Sequence, residues 1–168
     1  MFTHDYLYSY HPHGDLPPVT ESNPWIYVFG SDTTGLLRTP DQLTARKYYN
    51  ARSGVSFGQE ATSFGIPVWD RNTSVLPLNT IAGHIKKACK YLSHRISYAN
   101  QRYWFTPVGV GSLAHDDIDI ATMFKDLGRE LPMLTLRGNI SFPKAWRPYI
   151  EPVTLDAEIS DMLFDVDA

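Results

Sequence analysis

Apolar residues in this chain fall into short continuous runs separated by stretches whose apolar positions recur every three or four residues. Trp25-Ile26-Tyr27-Val28-Phe29 is such a run, closed by Gly30, and it predicts a buried strand. Phe64 to Trp69 predicts a second strand, in which Pro67 cannot donate to a ladder and favours an edge or a strand end. Tyr103 to Val108 predicts a third, and Met133 to Leu136 a fourth short one. Between these runs the period changes. Leu78, Ile81, Ile85, Cys89, Leu92 and Ile96 mark one face of a helix, with Lys86, Lys87, Lys90 and Arg95 along its later turns. Lysines in that arrangement ordinarily form a solvated face.

Helix boundaries are marked as well. Thr39-Pro40-Asp41-Gln42 places Thr at the N-cap, Pro at the first helical position and Gln at the third, the pattern of a capping box. It predicts a helix from about Pro40 to Arg52, ending before Gly54. A further helix is expected from about Asp117 to Leu127, with Gly128 as its stop. Strands alternating with helices predict an α/β fold with a mixed, largely parallel sheet covered on both faces.

The ends of the chain differ from this middle. Residues 1–24 hold Pro12, Pro17, Pro18 and Pro24 and three histidines, the composition of an irregular arm that its aromatic residues Phe2, Tyr6, Tyr8 and Tyr10 could dock. Residues 25–150 read as the α/β domain. Residues 151–168 carry six acidic side chains and no Lys or Arg, whereas residues 1–150 carry 15 basic against 12 acidic. This acidic C-terminal tail, with Ile159, Met162, Leu163 and Phe164, is a candidate anchor on a protein partner or on its own domain.

Composition narrows the function classes. At 168 residues, with 43% hydrophobic and 20% charged side chains, the chain has the make-up of one folded globular domain. A net charge of −3 argues against binding nucleic acid chiefly by neutralising phosphates. Cys89 is the single cysteine, so no internal disulfide and no cysteine-based zinc site is expected, which fits a reducing cytoplasm. No apolar run reaches the roughly 20 residues of a membrane span, and no membrane association is expected.

Ligands of open parallel sheets bind beyond the carboxyl ends of the strands, where glycine-rich loops expose backbone N–H groups. Two segments meet that condition: Gly30-Ser31-Asp32-Thr33-Thr34-Gly35 after the first strand, and Gly109-Val110-Gly111-Ser112 after the third. Neither is a P-loop or a three-glycine dinucleotide fingerprint. Other polar candidates have ordinary explanations. Asp70-Arg71-Asn72 reads as a turn closed by its own side chains, with nucleotide recognition as the alternative. Trp69, Tyr103 and Trp104 could stack a base but read first as core. His4, His11, His13 and Asp15 could ligate a metal, yet their loose spacing on the arm favours solvent exposure, and no metal or cofactor is expected. Asp116 and Asp117 read as N-cap residues.

The order Val28-Phe29-Gly30-Ser31-Asp32, then Phe64-Gly65-Ile66-Pro67 with Asp70-Arg71-Asn72 and Leu76-Pro77-Leu78, then Thr106 to Gly111, resembles small bacterial and phage proteins related to macro domains. The resemblance covers roughly residues 25–130 and implies a three-layer α/β/α macro-like domain with a cleft for ADP-ribose or a related nucleotide-derived metabolite. It implies a ligand set of Gly30, Ser31, Asp32, Thr33 and Gly35 in the first loop, where Arg38, a departure from the family pattern, would supply charge in place of backbone N–H groups, with Gly109, Val110, Gly111 and Ser112 around a diphosphate. Asp32 stands where the wider family often has an asparagine facing the ribose, and is the leading candidate acid or base if the domain is a hydrolase, with His115 or Asp70 as helpers. Two departures favour binding over hydrolysis. The first loop continues as Leu36-Leu37-Arg38 rather than with small residues, and Ser112-Leu113-Ala114 lacks the carboxylate of the hydrolase branch. In a phage setting the same domain would act in the host cytoplasm. A third expectation is a protein-interaction or structural role with a vestigial cleft.

Overall fold

The computed structural model describes residues 8–12, 14–20, 22–36, 39–72, 74–106, 117–130 and 138–151. Its centre is a six-stranded sheet: β1 (Ser9–His11), β2 (Trp25–Asp32), β3 (Gly58–Glu60), β4 (Ser63–Trp69), β5 (Arg102–Phe105) and β6 (Ile140–Pro143). Their order across the sheet is β1-β6-β5-β2-β4-β3, parallel throughout except for the antiparallel β3–β4 pair at one edge. The helices are α1 (Pro40–Tyr48), α2 (Leu78–Ala99), α3 (Asp117–Glu130) and the short α4 (Arg147–Ile150), preceded by one 3₁₀ turn at Lys144–Trp146. The expected mixed, largely parallel α/β arrangement is therefore present.

Strand alternation sends successive side chains to opposite faces, and two cores result. Ile26 and Val28 of β2, Phe64, Ile66 and Val68 of β4, and Tyr103 and Phe105 of β5 join the buried stripe of α2 and Ile120, Ala121 and Phe124 of α3. Tyr27, Phe29 and Trp104 point the other way, onto Ala45 of α1. The buried α2 positions are Ile81, Ile85, Ala88, Cys89, Leu92 and Ile96, so the stripe read from the sequence is the one that packs. Its lysines Lys86, Lys87 and Lys90 are exposed.

Several boundaries need correction. β2 does not close at Gly30: Gly30, Ser31 and Asp32 still pair with Ile66, Pro67 and Trp69, with a register shift before Asp32. A glycine without a positive φ imposes no turn, and burial on both sides keeps the strand going. Pro67 lies on the stretch of β4 beyond the reach of β3, which pairs only with Ser63 to Gly65, so its missing N–H costs no sheet bond on that side. Helix α1 ends at Tyr48 rather than Arg52, because Asn50 turns to φ 62°. Helix α3 runs through Gly128 to Glu130, a glycine inside a helix costing only about 1 kcal/mol relative to alanine. The arm is not wholly irregular: Ser9–His11 add an edge strand parallel to β6, and Tyr8 is buried against Phe142. The strand expected at Met133 to Leu136 lies outside the described residues. Among the described residues no helix is long and apolar enough to cross a membrane.

Candidate functional site

The sheet order reverses direction at its centre. From β2 the chain passes through α1 to β4 on one side, then through α2 to β5 on the other side of β2 and on to β6. The crevice between the carboxyl ends of β2 and β5 is thus the topological switch point, where open α/β sheets take their ligands. The two segments singled out from the sequence leave these two neighbouring strands. The first is visible as the turn after Asp32. The second leaves β5 at Thr106, whose N–H donates to the Val28 carbonyl at 3.1 Å and whose single hydroxyl proton is shared between that carbonyl at 3.1 Å and Asp41 Oδ2 at 3.3 Å. Gly109, Val110, Gly111, Ser112, His115, Asp116 and, in the first loop, Arg38 lie outside the described residues.

Asp32 organises the first turn from a position with no solvent exposure. Its Oδ2 accepts from the Thr34 N–H at 3.1 Å and from the Thr34 hydroxyl, while its carbonyl accepts from the Gly35 N–H at 3.2 Å. Its Oδ1 accepts from Gln42 Nε2 at 3.1 Å. This last bond revises the capping box. Thr39 Oγ1 does accept from the Gln42 N–H at 3.3 Å, as the spacing predicts, but the Gln42 amide nitrogen reaches to β2. The N-terminus of α1 is thereby held to the end of the central strand. A buried carboxyl group needs such partners, because its polar oxygens are out of reach of water.

The remaining first-loop residues have distinct positions. Ser31 is fully buried and donates to the Ser56 carbonyl. Thr33 is exposed, with its N–H on the Trp69 carbonyl at 2.9 Å. Gly35 has φ +71°, and an added Cβ would lie 2.6 Å from the Val55 nitrogen and 2.7 Å from the Gly54 carbonyl carbon, so only glycine fits there. Its carbonyl accepts from Arg46 Nη2 at 2.6 Å and from the Gly54 N–H at 3.1 Å.

Three residues at the crevice were not singled out for chemistry by the sequence. Asp41, in the first turn of α1, accepts from the Thr106 hydroxyl at 3.3 Å and from the Tyr27 hydroxyl. Burial, followed by the Asp41 charge, holds the Tyr27 phenol far above its ordinary range, so it stays a donor. Asp41 was legible as a first-turn acid, Thr106 as a strand end and Tyr27 as a strand aromatic. Their meeting depends on the pairing of β2 with β5. Asp32 has no exposure and both its oxygens are engaged, so the half-buried Asp41 is the carboxylate on this side of the crevice that suits a hydroxyl or amine donor of a ligand.

The other candidates resolve into structural roles. Asp70 Oδ1 accepts from the Asn72 and Ser74 N–H groups at 2.8 and 2.9 Å, the turn its sequence predicts. Tyr103 is core, while Trp104, only 7% exposed, packs on Trp25 and donates to the Asp15 carbonyl at 3.1 Å. His11 is a correction: it is buried rather than exposed. Its ring stacks on Trp104 at 3.8 Å, with Nδ1 2.6 Å from Ser141 Oγ and Nε2 2.9 Å from the Phe105 carbonyl. A carbonyl accepts only, so Nε2 carries the proton and Nδ1 accepts from Ser141. Burial drives its pKa down to about 4, against smaller upward pulls from the Phe105 carbonyl and Asp15. Among the described residues no three His, Cys, Asp or Glu side chains gather as a metal group. Compared with family models, curated proteins and solved structures, the chain matches none.

Proposed function

We propose that this chain is a macro-like three-layer module that binds ADP-ribose or a related nucleotide-derived metabolite across the carboxyl ends of β2 and β5. The observation that carries the reading is the departure of both glycine-bearing segments from neighbouring parallel strands at the switch point. The half-buried Asp41 suits a ribose hydroxyl, and the segment containing Gly109 to Ser112 is left to meet the diphosphate. Binding is favoured over hydrolysis because both Asp32 oxygens already hold Thr34 and Gln42, which makes Asp32 a positioning residue rather than a proton donor to substrate.

A ligand that binds only the native state stabilises it by mass action, about 2.7 kcal/mol at a hundredfold excess over Kd. For a chain of this size that corresponds to a rise of roughly 5–10 °C in Tm. The test is a thermal-shift series with ADP-ribose, its phosphorylated derivatives, NAD and cyclic nucleotides, repeated on Gly111→Glu. A shift with one ligand that disappears in the variant supports the cleft. No shift with any of them at millimolar concentration refutes it.

A further inference from the structure

The N-terminal arm closes a bond that the sheet itself cannot make. In the parallel pairing of β5 with β6, Tyr103 lies opposite Ile140 and Trp104 opposite Ser141, with the Tyr103 N–H on the Asn139 carbonyl. The same register carried to Phe105 assigns its carbonyl to the N–H of residue 143, and residue 143 is proline, which has none. His11 of β1 supplies the missing donor, its Nε2 lying 2.9 Å from that carbonyl. A carbonyl buried without a donor would cost about 1–3 kcal/mol, so the arm is tied to the end of β5 by a bond for which the sheet has no substitute.

Further contacts gather on the same ring. His11 stacks on Trp104 at 3.8 Å, its Nδ1 accepts from Ser141, and the Trp104 indole donates to the Asp15 carbonyl at the end of the Pro12–Asp15 turn. Ser141 and His11 have the hydrogen bond of a nucleophile and its base, but Ser141 is only 1% exposed, so no substrate reaches it and the pair serves as an anchor. Beyond this anchor the arm has Tyr8 against Phe142, the Tyr10 hydroxyl on Glu151, and a three-residue strand at the sheet edge bonded to β6 alone.

We propose that the arm around β1 is an acid-released strap with His11 as its latch: a cationic imidazole leaves its place among Trp104, Ser141 and Phe105, and β1 detaches from β6 while the other five strands stay paired. The strap stands apart from the nucleotide reading, yet it acts at the same end of the sheet. Its latch closes on Phe105, one residue before Thr106, so release also loosens the strand end from which the Gly109 to Ser112 segment departs.

The surroundings of the ring set the direction of the switch. From β5 it faces Trp104 and the Phe105 carbonyl and from β6 Ser141, none of which titrates in the acid range. Arg102, two residues before Trp104, is turned onto the Trp25 ring and the Asn23 carbonyl. Burial lowers the His11 pKa more than the Phe105 carbonyl and Asp15 raise it, leaving it at about 4 against 6.5. In the open arm the ring is an ordinary histidine and takes the proton first, so the latch is strongest above pH 6.5 and weakens as pH falls toward 4. By linkage the ratio of open to closed arm rises about twentyfold from pH 7 to pH 5.

Native-state hydrogen exchange on the intact chain tests this, each rate being divided by the intrinsic rate at its pH. The hydrogen-bonded amides of Ser9–His11 should exchange at least about tenfold faster than those of Ile85 to Leu92 in α2, with little dependence on low urea concentrations, because opening the strap exposes little surface. Their protection should fall about twentyfold between pH 7 and pH 5 in wild type, and less than about twofold in His11→Gln, which keeps an amide donor but does not titrate. Exchange of β1 in step with α2, with the same urea dependence, overturns the proposal, because the arm then opens only with the whole fold. Protection that is flat in wild type between the two pH values, or that falls equally in His11→Gln, overturns it too, because His11 is then not the latch.

Discussion

Gly35→Ala tests the architecture of the candidate site at the point where the chain has least freedom. Two costs combine there. The backbone at φ +71° is left-handed, which costs a non-glycine residue roughly 1–2 kcal/mol. The new Cβ would also lie 2.6–2.7 Å from backbone atoms of Gly54 and Val55, and backbone cannot swing aside as a flexible side chain can. Forcing a methyl group into such a space typically costs about 1–3 kcal/mol. The expected loss is therefore about 2–5 kcal/mol, read as a lowered urea midpoint at constant m value.

Two other glycines calibrate the result. Gly54 has φ +90° but nothing within 4 Å of an added Cβ, so Gly54→Ala should show the backbone cost alone, about 1–2 kcal/mol. Gly83 lies inside α2 with open space around it, so Gly83→Ala should stabilise by about 0.5–1 kcal/mol. The reasoning fails if Gly35→Ala costs no more than Gly54→Ala, because the steric part would then be absent. The functional corollary follows from connectivity. Because Gly35 closes the turn in which Asp32 holds Thr34, the variant that folds should also bind nucleotide more weakly than Gly54→Ala does.

Three further outcomes follow from the same geometry. Asp32→Ala strands the Thr34 N–H, the Thr34 hydroxyl and the Gln42 amide, and should cost about 3 kcal/mol or more, with a double-mutant cycle against Gln42→Ala returning a coupling of about 1–2 kcal/mol in chemical denaturation; additivity would show that the Gln42–Asp32 bond contributes nothing. His11 has a folded pKa of about 4 against 6.5, so the unfolded chain binds the extra proton first: the stability is fully present above pH 6.5, is lost as pH falls from 6.5 toward 4, and amounts to about 3 kcal/mol by linkage. Unfolding free energies of wild type and His11→Gln measured across that window should differ in slope by up to one proton, and parallel curves would contradict the burial of a neutral imidazole. Cys89 is buried with its thiol pushed up to about 12, so a thiol reagent at pH 8 should modify it only at the rate of unfolding, and rapid native-state labelling would place it at the surface.

Local rules and long-range pairing divide what the sequence makes legible. The α2 stripe, the Thr39 cap and the Asp70 turn follow from contacts within four residues along the chain, and each takes the form its spacing implies. The ends of elements were harder. Gly30 and Gly128 carry stop signals that tertiary burial and helical propagation override, since a glycine permits a turn without imposing one. The burial of His11 is likewise set by long-range pairing. Its neighbours in sequence are prolines and polar residues, while its partners Trp104, Phe105 and Ser141 are 93 to 130 positions away and are brought to it only by the addition of β1 beside β6.

The crevice shows how these two levels join. Gln42 is selected locally, as the third residue of a capped helix, yet its side chain is used non-locally, on the carboxylate at the end of β2. Asp41 is likewise a helix-start acid that stabilises the α1 dipole and also receives Thr106 from β5 and Tyr27 from β2. Consecutive residues of one helical turn therefore grip both strands of the switch point. On the proposed reading a ligand entering there would meet groups whose rotamers are already set by buried hydrogen bonds, so little ordering would remain to oppose binding. That preorganisation also limits the chemistry available. Asp32 cannot turn toward a substrate without releasing Thr34 and Gln42 into a buried space, which costs about as much as the hydrogen bonds it would gain. Geometry and energetics thus point in the same direction, toward an Asp32 that holds the turn after β2 in place rather than one that moves a proton.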